Sequence, residues 1–142
     1  MRSSPVPSPD ILLIGDLAQA TGRSIHTLRW YEREGLLPGV RRDEGNRRIY
    51  RRAHIGWLRF LGRLKRTGMS VSQMKIYAGL TAQGGKTAGK REAMLCRHRE
   101  MLDRQIATLM EARDVLDLKI AFYRNWQRTG RRPPEPDMPP IV

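Results

Sequence analysis

From Ala88 to Asn125 the chain holds no proline, and its one glycine there, Gly89, stands at the start. Within that run Leu95, Leu102, Leu109, Leu116 and Tyr123 recur at seven-residue intervals. Leu102, Ile106, Leu109, Leu116 and Ile120 fill much of a 4–3 seam, the spacing of a coiled coil. Glu100 and Arg104 form a favourably ordered i, i+4 pair. Met94, Met101, Thr108, Val115 and Phe122 lie beside the seam and widen its apolar face. Arg99 and Arg113 fall on seam positions and would have to snorkel. A helix over residues 88–125 would be roughly 57 Å long at 1.5 Å per residue. The segment before it is too small to bury such a helix. The stripe is therefore covered either by folding back or by a second copy, and a symmetric pair is the commoner way to cover a self-complementary face.

Ahead of that helix lies GRSIHTLRWYEREGLLPGVRRDEGNRRIY, residues 22–50. Ile14, Leu17 and Ala18 predict a short helix over 14–20, and Thr21-Gly22-Arg23 a turn. Ser24 is an N-cap for a second helix, with Ile25 and Leu28 inward and His26 and Arg29 on other faces. Gly35 can take the left-handed conformation that ends a helix, and Pro38 discourages its resumption. Residues 39–51 predict an arginine-rich hairpin turning at Glu44-Gly45-Asn46, where Gly45 permits a positive φ and Asn46 tolerates one. Ile55, Leu58, Leu61 and Leu64 predict a helix over 52–67, broken at Gly68. Ser70 caps a further helix with Val71, Met74 and Leu80 inward, and residues 81–89 read as a loop. A helix bearing exposed basic and hydrogen-bonding side chains can enter a major groove, and a basic hairpin beside it can hold phosphates.

Three segments together resemble the MerR family of bacterial transcription regulators over roughly residues 11–125. They are Ile14-Gly15-Asp16-Leu17-Ala18 with Thr21-Gly22, Thr27-Leu28-Arg29-Trp30-Tyr31-Glu32 with Gly35-Leu36-Leu37, and the wing residues Arg42, Asn46, Arg47, Arg48 and Tyr50. The resemblance implies a mainly α fold: a winged helix-turn-helix followed by a long dimerisation helix that pairs as an antiparallel coiled coil. It implies that Ser24, His26, Thr27 and Arg29 belong to the groove-facing element. Tyr31 would place its hydroxyl on a phosphate, and Arg42, Arg47 and Arg48 would grip the backbone, with Tyr50 in the same wing. Packing is the competing role for Tyr31 and Tyr50, and Arg33, Arg51 and Arg52 read as part of the general positive field. Leu95, Leu102, Ile106, Leu109, Leu116, Ile120 and Tyr123 would carry dimerisation. The chain departs from the commonest pattern at Arg47, where an aromatic is frequent, and at Leu13, where a Ser or Thr cap is frequent.

Charge agrees with a polyanionic partner. The chain carries a formal +13, and residues 1–80 hold 15 Lys and Arg against 6 Asp and Glu. That asymmetry favours nucleic acid first and an anionic membrane second. No apolar run is long enough for a bilayer; Ile11–Ile14 is the longest aliphatic one. The single cysteine, Cys96, allows no intrachain disulfide and no cysteine cluster for zinc or iron–sulfur, so neither metal nor cofactor is expected, and a reducing cytoplasm fits. The organisation expected is a disordered leader over 1–10, the DNA-binding domain over 11–81, linker and dimerisation helix over 82–126, and a Pro-rich tail over 127–142.

The function that the resemblance implies is a dimeric, sequence-specific regulator that distorts promoter DNA at an inverted repeat and engages RNA polymerase there. A signal is harder to read. Metal-sensing relatives use two or more cysteines near the far end of the dimer helix, which this chain lacks. Cys96, flanked by Arg97 and His98, could sense oxidants or sit inert on the seam. The aromatic groups Trp57, Phe60 and Tyr77, and Phe122, Tyr123 and Trp126, are candidates to bind a small organic effector, against plain packing. The alternatives are an effector-independent repressor, an architectural DNA-binding protein or a basic coiled-coil scaffold. No nucleophile–base pair or phosphate-binding glycine loop points to an enzyme.

Overall fold

The computed structural model describes residues 10–141, so nearly all of the expected leader lies outside the described residues. Its elements are β1 (Ile11–Leu12), α1 (Ile14–Thr21), α2 (Ile25–Arg33), β2 (Arg41–Arg42), β3 (Arg48–Arg51), α3 (Arg52–Arg66), α4 (Val71–Ala82), a single 3₁₀ turn (Gly85–Thr87) and α5 (Ala88–Thr129). The chain divides into two compact units, Met1–Cys96 and Arg97–Val142.

Local chemistry sets most of the boundaries in the first unit. Gly22, at φ 66°, closes α1. Ser24 Oγ accepts the Thr27 backbone N–H at 3.1 Å and starts α2. Gly35, at φ 70°, lets the Leu36 N–H return to the Tyr31 carbonyl at 2.9 Å and stops it. Leu13 offers α1 no hydroxyl cap; instead the Asp16 carboxylate accepts the Leu13 N–H at 3.1 Å. Ser70 and Gln73 form a reciprocal capping box on α4.

The strands decide one point the sequence left open and hold one difference from expectation. The tip of the hairpin places its positive φ, 62°, on Asn46 and not on Gly45. Asp43 organises that tip: its carboxylate accepts the Arg47 N–H at 2.8 Å, and its own N–H donates to the Arg47 carbonyl at 2.9 Å. Ile11 and Leu12 form a strand that sequence reading missed, pairing antiparallel with β3 as Ile11 to Arg51 and Leu12 to Tyr50. The sheet order is β1-β3-β2. The expected 81–89 loop is shorter than read, because α4 continues to Ala82 and residues 85–87 form the 3₁₀ turn.

Leu17, Leu28, Leu36, Tyr50, Leu58, Leu61 and Met74 are fully buried and make the core on which α2 and the hairpin rest. Trp57 seals one side, its indole N–H donating to the Leu36 carbonyl at 2.7 Å. His54 links hairpin and α3. Its Nδ1 accepts the Arg51 N–H at 2.9 Å and its Nε2 lies 2.8 Å from the Pro38 carbonyl, which fixes the proton on Nε2. Leu95 packs against this same core.

Along α5 the apolar seam is bare. Ile106, Leu109 and Leu116 are 53, 69 and 61 % exposed. Ile120 and Tyr123 are exposed as well, and Leu102 is half-buried. The helix runs four residues past the predicted end, to Thr129, where Gly130 turns left-handed at φ 69°.

Candidate nucleic-acid interface

The side chains of α2 sort by the helical repeat. Leu28 and Tyr31 point into the core, whereas His26, Arg29 and Arg33, spaced i, i+3, i+7, are exposed together. Ser24 and Thr27 hold the start of that helix, their hydroxyls 2.9 Å apart. His26 and Arg29 are thus presented on a helix whose first turn is fixed at both ends of the cap.

The wing's arginines are less free than their spacing suggests. Arg48 Nε lies 2.7 Å from Glu32 Oε2 on α2, which puts a cation on a buried carboxylate oxygen and ties the hairpin to α2. Glu32 raises the Arg48 pKa above its ordinary value by that hydrogen bond. Arg47 Nε sits 3.0 Å from Asp43, and the Arg47 backbone N–H is the main reason the Asp43 pKa is lowered. Arg42 Nη1 donates to the Asn46 carbonyl at 2.8 Å across the turn. All three arginines remain exposed, so each keeps donors for a phosphate while one bond fixes its direction. Tyr50 is fully buried, and among the described residues its hydroxyl meets no hydrogen-bond partner. Burial, with Glu32 nearby, raises its pKa above the usual phenol value.

Tyr31 leads to a part of the surface that sequence reading did not single out. Its ring is buried, and its hydroxyl accepts a bond from Arg23 Nη1 at 2.9 Å. The Arg23 guanidinium lies 5.1 Å from the Tyr31 ring centroid, and its Nη2 donates to the Leu58 carbonyl at 3.2 Å. It passes directly over Gly62, where a Cβ would stand 2.5 Å from Nη2. A glycine inside a helix costs about 1 kcal/mol relative to alanine; here it gives the arginine its path. Arg23, Tyr31, Arg59, Gly62, Arg63, Lys65 and Arg66 line one cavity of about 410 Å³. Five of those seven are cations around one phenol, a lining suited to a phosphate. The signal was present in the sequence as Arg59, Arg63 and Arg66 on one face of α3.

The description MerR HTH family regulatory protein matches residues 12–78, and MerR DNA-binding matches residues 55–118. An uncharacterised HTH-type transcriptional regulator of Haemophilus influenzae is 38 % identical over 113 residues, 80 % of this chain and 84 % of that one. The chain belongs to the MerR family. The HTH-type regulator AdhR of Bacillus subtilis is 33 % identical over 89 residues, 63 % of this chain and 64 % of that protein. The crystal structure of HiNmlR, described as a MerR family regulator lacking the sensor domain and bound to promoter DNA, superposes with a TM-score of 0.70 at 36 % identity, covering 84 % of this chain and 95 % of that one. Family, fold and relatives identify a DNA-binding transcription regulator and not an enzyme.

Within this MerR-family chain the other candidate residues are two aromatic clusters and one cysteine. Trp57, Phe60 and Tyr77 pack on one another in the first unit, Trp57 stacking on Tyr77 with centroids 5.7 Å apart. Cys96 is half-buried on α5. Phe122, Tyr123 and Trp126 form a second cluster, edge to face, in the other unit. Among the described residues there is no group of three His, Cys, Asp or Glu that could hold a metal ion, and no helix long and apolar enough to cross a membrane.

Proposed function

We propose that the protein works as a homodimer on an inverted repeat in promoter DNA and acts by distorting that DNA. The bare stripe on α5 carries the dimer: Leu109 and Leu116 are more than half exposed on a helix too long for its own domain to cover. A second copy, antiparallel, would cover Leu102, Ile106, Leu109, Leu116, Ile120 and Tyr123 and set two recognition helices on one face of the duplex. His26 and Arg29 read base edges. Arg42, Arg47, Arg48 and the Arg23–Tyr31 cavity hold phosphates on either side.

Bending and untwisting a site of this size costs on the order of 1–6 kcal/mol. Several phosphate contacts per subunit are the means to offset it. The distortion would bring two promoter elements within reach of RNA polymerase, and a small organic effector would shift the DNA between its two forms. The DNA complex of the similar HiNmlR supports the promoter as partner.

Selection from random duplexes at about 0.15 M salt tests this reading. Enrichment of one inverted repeat, bound by two subunits, is expected. Recovery of unrelated sequences with equal affinity would leave an architectural protein as the better description.

A further inference from the structure

The end of α5 is apolar on more than one side. Leu116, Ile120 and Tyr123 belong to the bare seam, while Leu118, Ala121, Phe122 and Asn125, spaced i, i+3, i+4, i+7, share a second face. The two faces are covered unequally. Tyr123 is 50 % exposed and its neighbour Phe122 only 5 %. Among the described residues of α5, Phe122 and His98 alone are buried. Lys119, Tyr123 and Trp126 touch the Phe122 ring from the same helix. The side they leave open is closed by the tail, whose Pro133, Pro134 and Pro136 face Leu118, Phe122 and Asn125 across a groove.

A built turn leads the tail there. Gly130, at φ 69°, donates its N–H to the Trp126 carbonyl at 2.8 Å. Thr129 Oγ1 accepts the Arg131 N–H at 3.3 Å. The Arg132 guanidinium then lies 5.5 Å from the Trp126 centroid, and Glu135 reaches back to Lys119 Nζ at 2.8 Å. The prolines are stiff before the segment docks, so holding it costs less chain entropy than a flexible tail would.

We propose that residues 131–136 are a strap that closes the Phe122 face of α5 and leaves the seam as the one face a second copy can take. A helix end that is apolar all round associates through every side left bare. With both faces open, one dimer would join another; the strap stops the assembly at two. That limit of two rests on the dimer reading above, whereas the shielding of Phe122 does not.

The test uses the full chain with Pro133→Gly, Pro134→Gly, Glu135→Lys and Pro136→Gly combined, since one exposed ion pair is too weak to decide alone. In the wild type, NMR should show NOEs from the tail proline rings to the Phe122 ring, and the combined variant should lose them. Sedimentation velocity is then read over a range of concentrations. The wild type should stay at one size, and the released variant should reach about twice that mass, as a dimer of dimers would. Adding Phe122→Gln, which keeps the helix and removes the apolar face, should return it to the wild-type size. Unchanged signals from the wing show that each variant is folded. Absent NOEs in the wild type, a released variant of wild-type size, or larger particles that persist with Phe122→Gln overturn the proposal. A wild-type monomer whose released variant still assembles through Phe122 upholds the shield and counts only against the dimer reading.

Discussion

At the scale of single residues, the proposed function gives Arg29 and Arg48 different roles on DNA. Arg29 stands exposed on α2 with His26, so Arg29→Ala should cost about 1–3 kcal/mol on the selected operator and much less on random DNA, measured by fluorescence anisotropy. Arg48 is anchored by Glu32 at 2.7 Å, so its contribution depends on that carboxylate. Glu32→Gln should weaken binding to every sequence, and the loss should vanish in an Arg48→Ala background. Additive losses in that double-mutant cycle would mean that the ion pair does not place the wing. Tyr50 has a buried hydroxyl with no partner among the described residues, so Tyr50→Phe should be neutral or stabilising by about 1 kcal/mol in urea melts. Its raised pKa gives a second signature. A phenol harder to ionise in the folded state supports stability below the unfolded pKa near 10 and loses it as pH rises further. The wild type should therefore weaken in alkali more steeply than Tyr50→Phe.

At the scale of elements, the boundaries legible in the sequence were those decided within one turn of helix. Ser24, Gly35 and Ser70 cap or stop their helices through bonds to residues a few positions away. β1 was not legible, because two residues carry no periodicity and their partners, Tyr50 and Arg51, are distant in sequence. The hairpin and its turn were legible, but not which of Gly45 and Asn46 takes the positive φ: glycine permits one without requiring it, and with the Asp43 bonds in place it falls on Asn46. The arginine stripe Arg59-Arg63-Arg66 was not singled out in the sequence because its meaning depends on Arg23, which crosses from another turn over Gly62. That crossing gives a prediction. Gly62→Ala gains about 1 kcal/mol of helix propensity while its methyl group displaces the end of a flexible arginine. Thermal stability should hold or rise, yet affinity for all DNA should fall and its salt dependence flatten. A parallel drop in stability and affinity would show instead that the Arg23 contacts hold the fold together.

At the scale of the whole molecule, the exposed apolar stripe on α5 is the surface that the proposed dimer would cover. Leu109→Glu sets a charge where a residue is 69 % exposed in one chain and central in the proposed seam. Light scattering after gel filtration should read a dimer for the wild type and a monomer for Leu109→Glu, with the wing's NMR signals unchanged. A wild-type monomer at micromolar concentration would remove the basis for two linked recognition helices. The tail answers to pH in the opposite sense from Tyr50. Lys119 and then Arg132 lower the Glu135 pKa, so the tail contact is complete above the unfolded carboxylate pKa and is lost as pH falls through the folded value. The most direct test of a distorting dimer is nuclease footprinting of the full chain on its selected inverted repeat. Two protected half-sites flanking a centre of enhanced cleavage are expected, with Leu109→Glu giving neither. Uniform protection with no enhanced centre would show a protein that covers its operator without bending it.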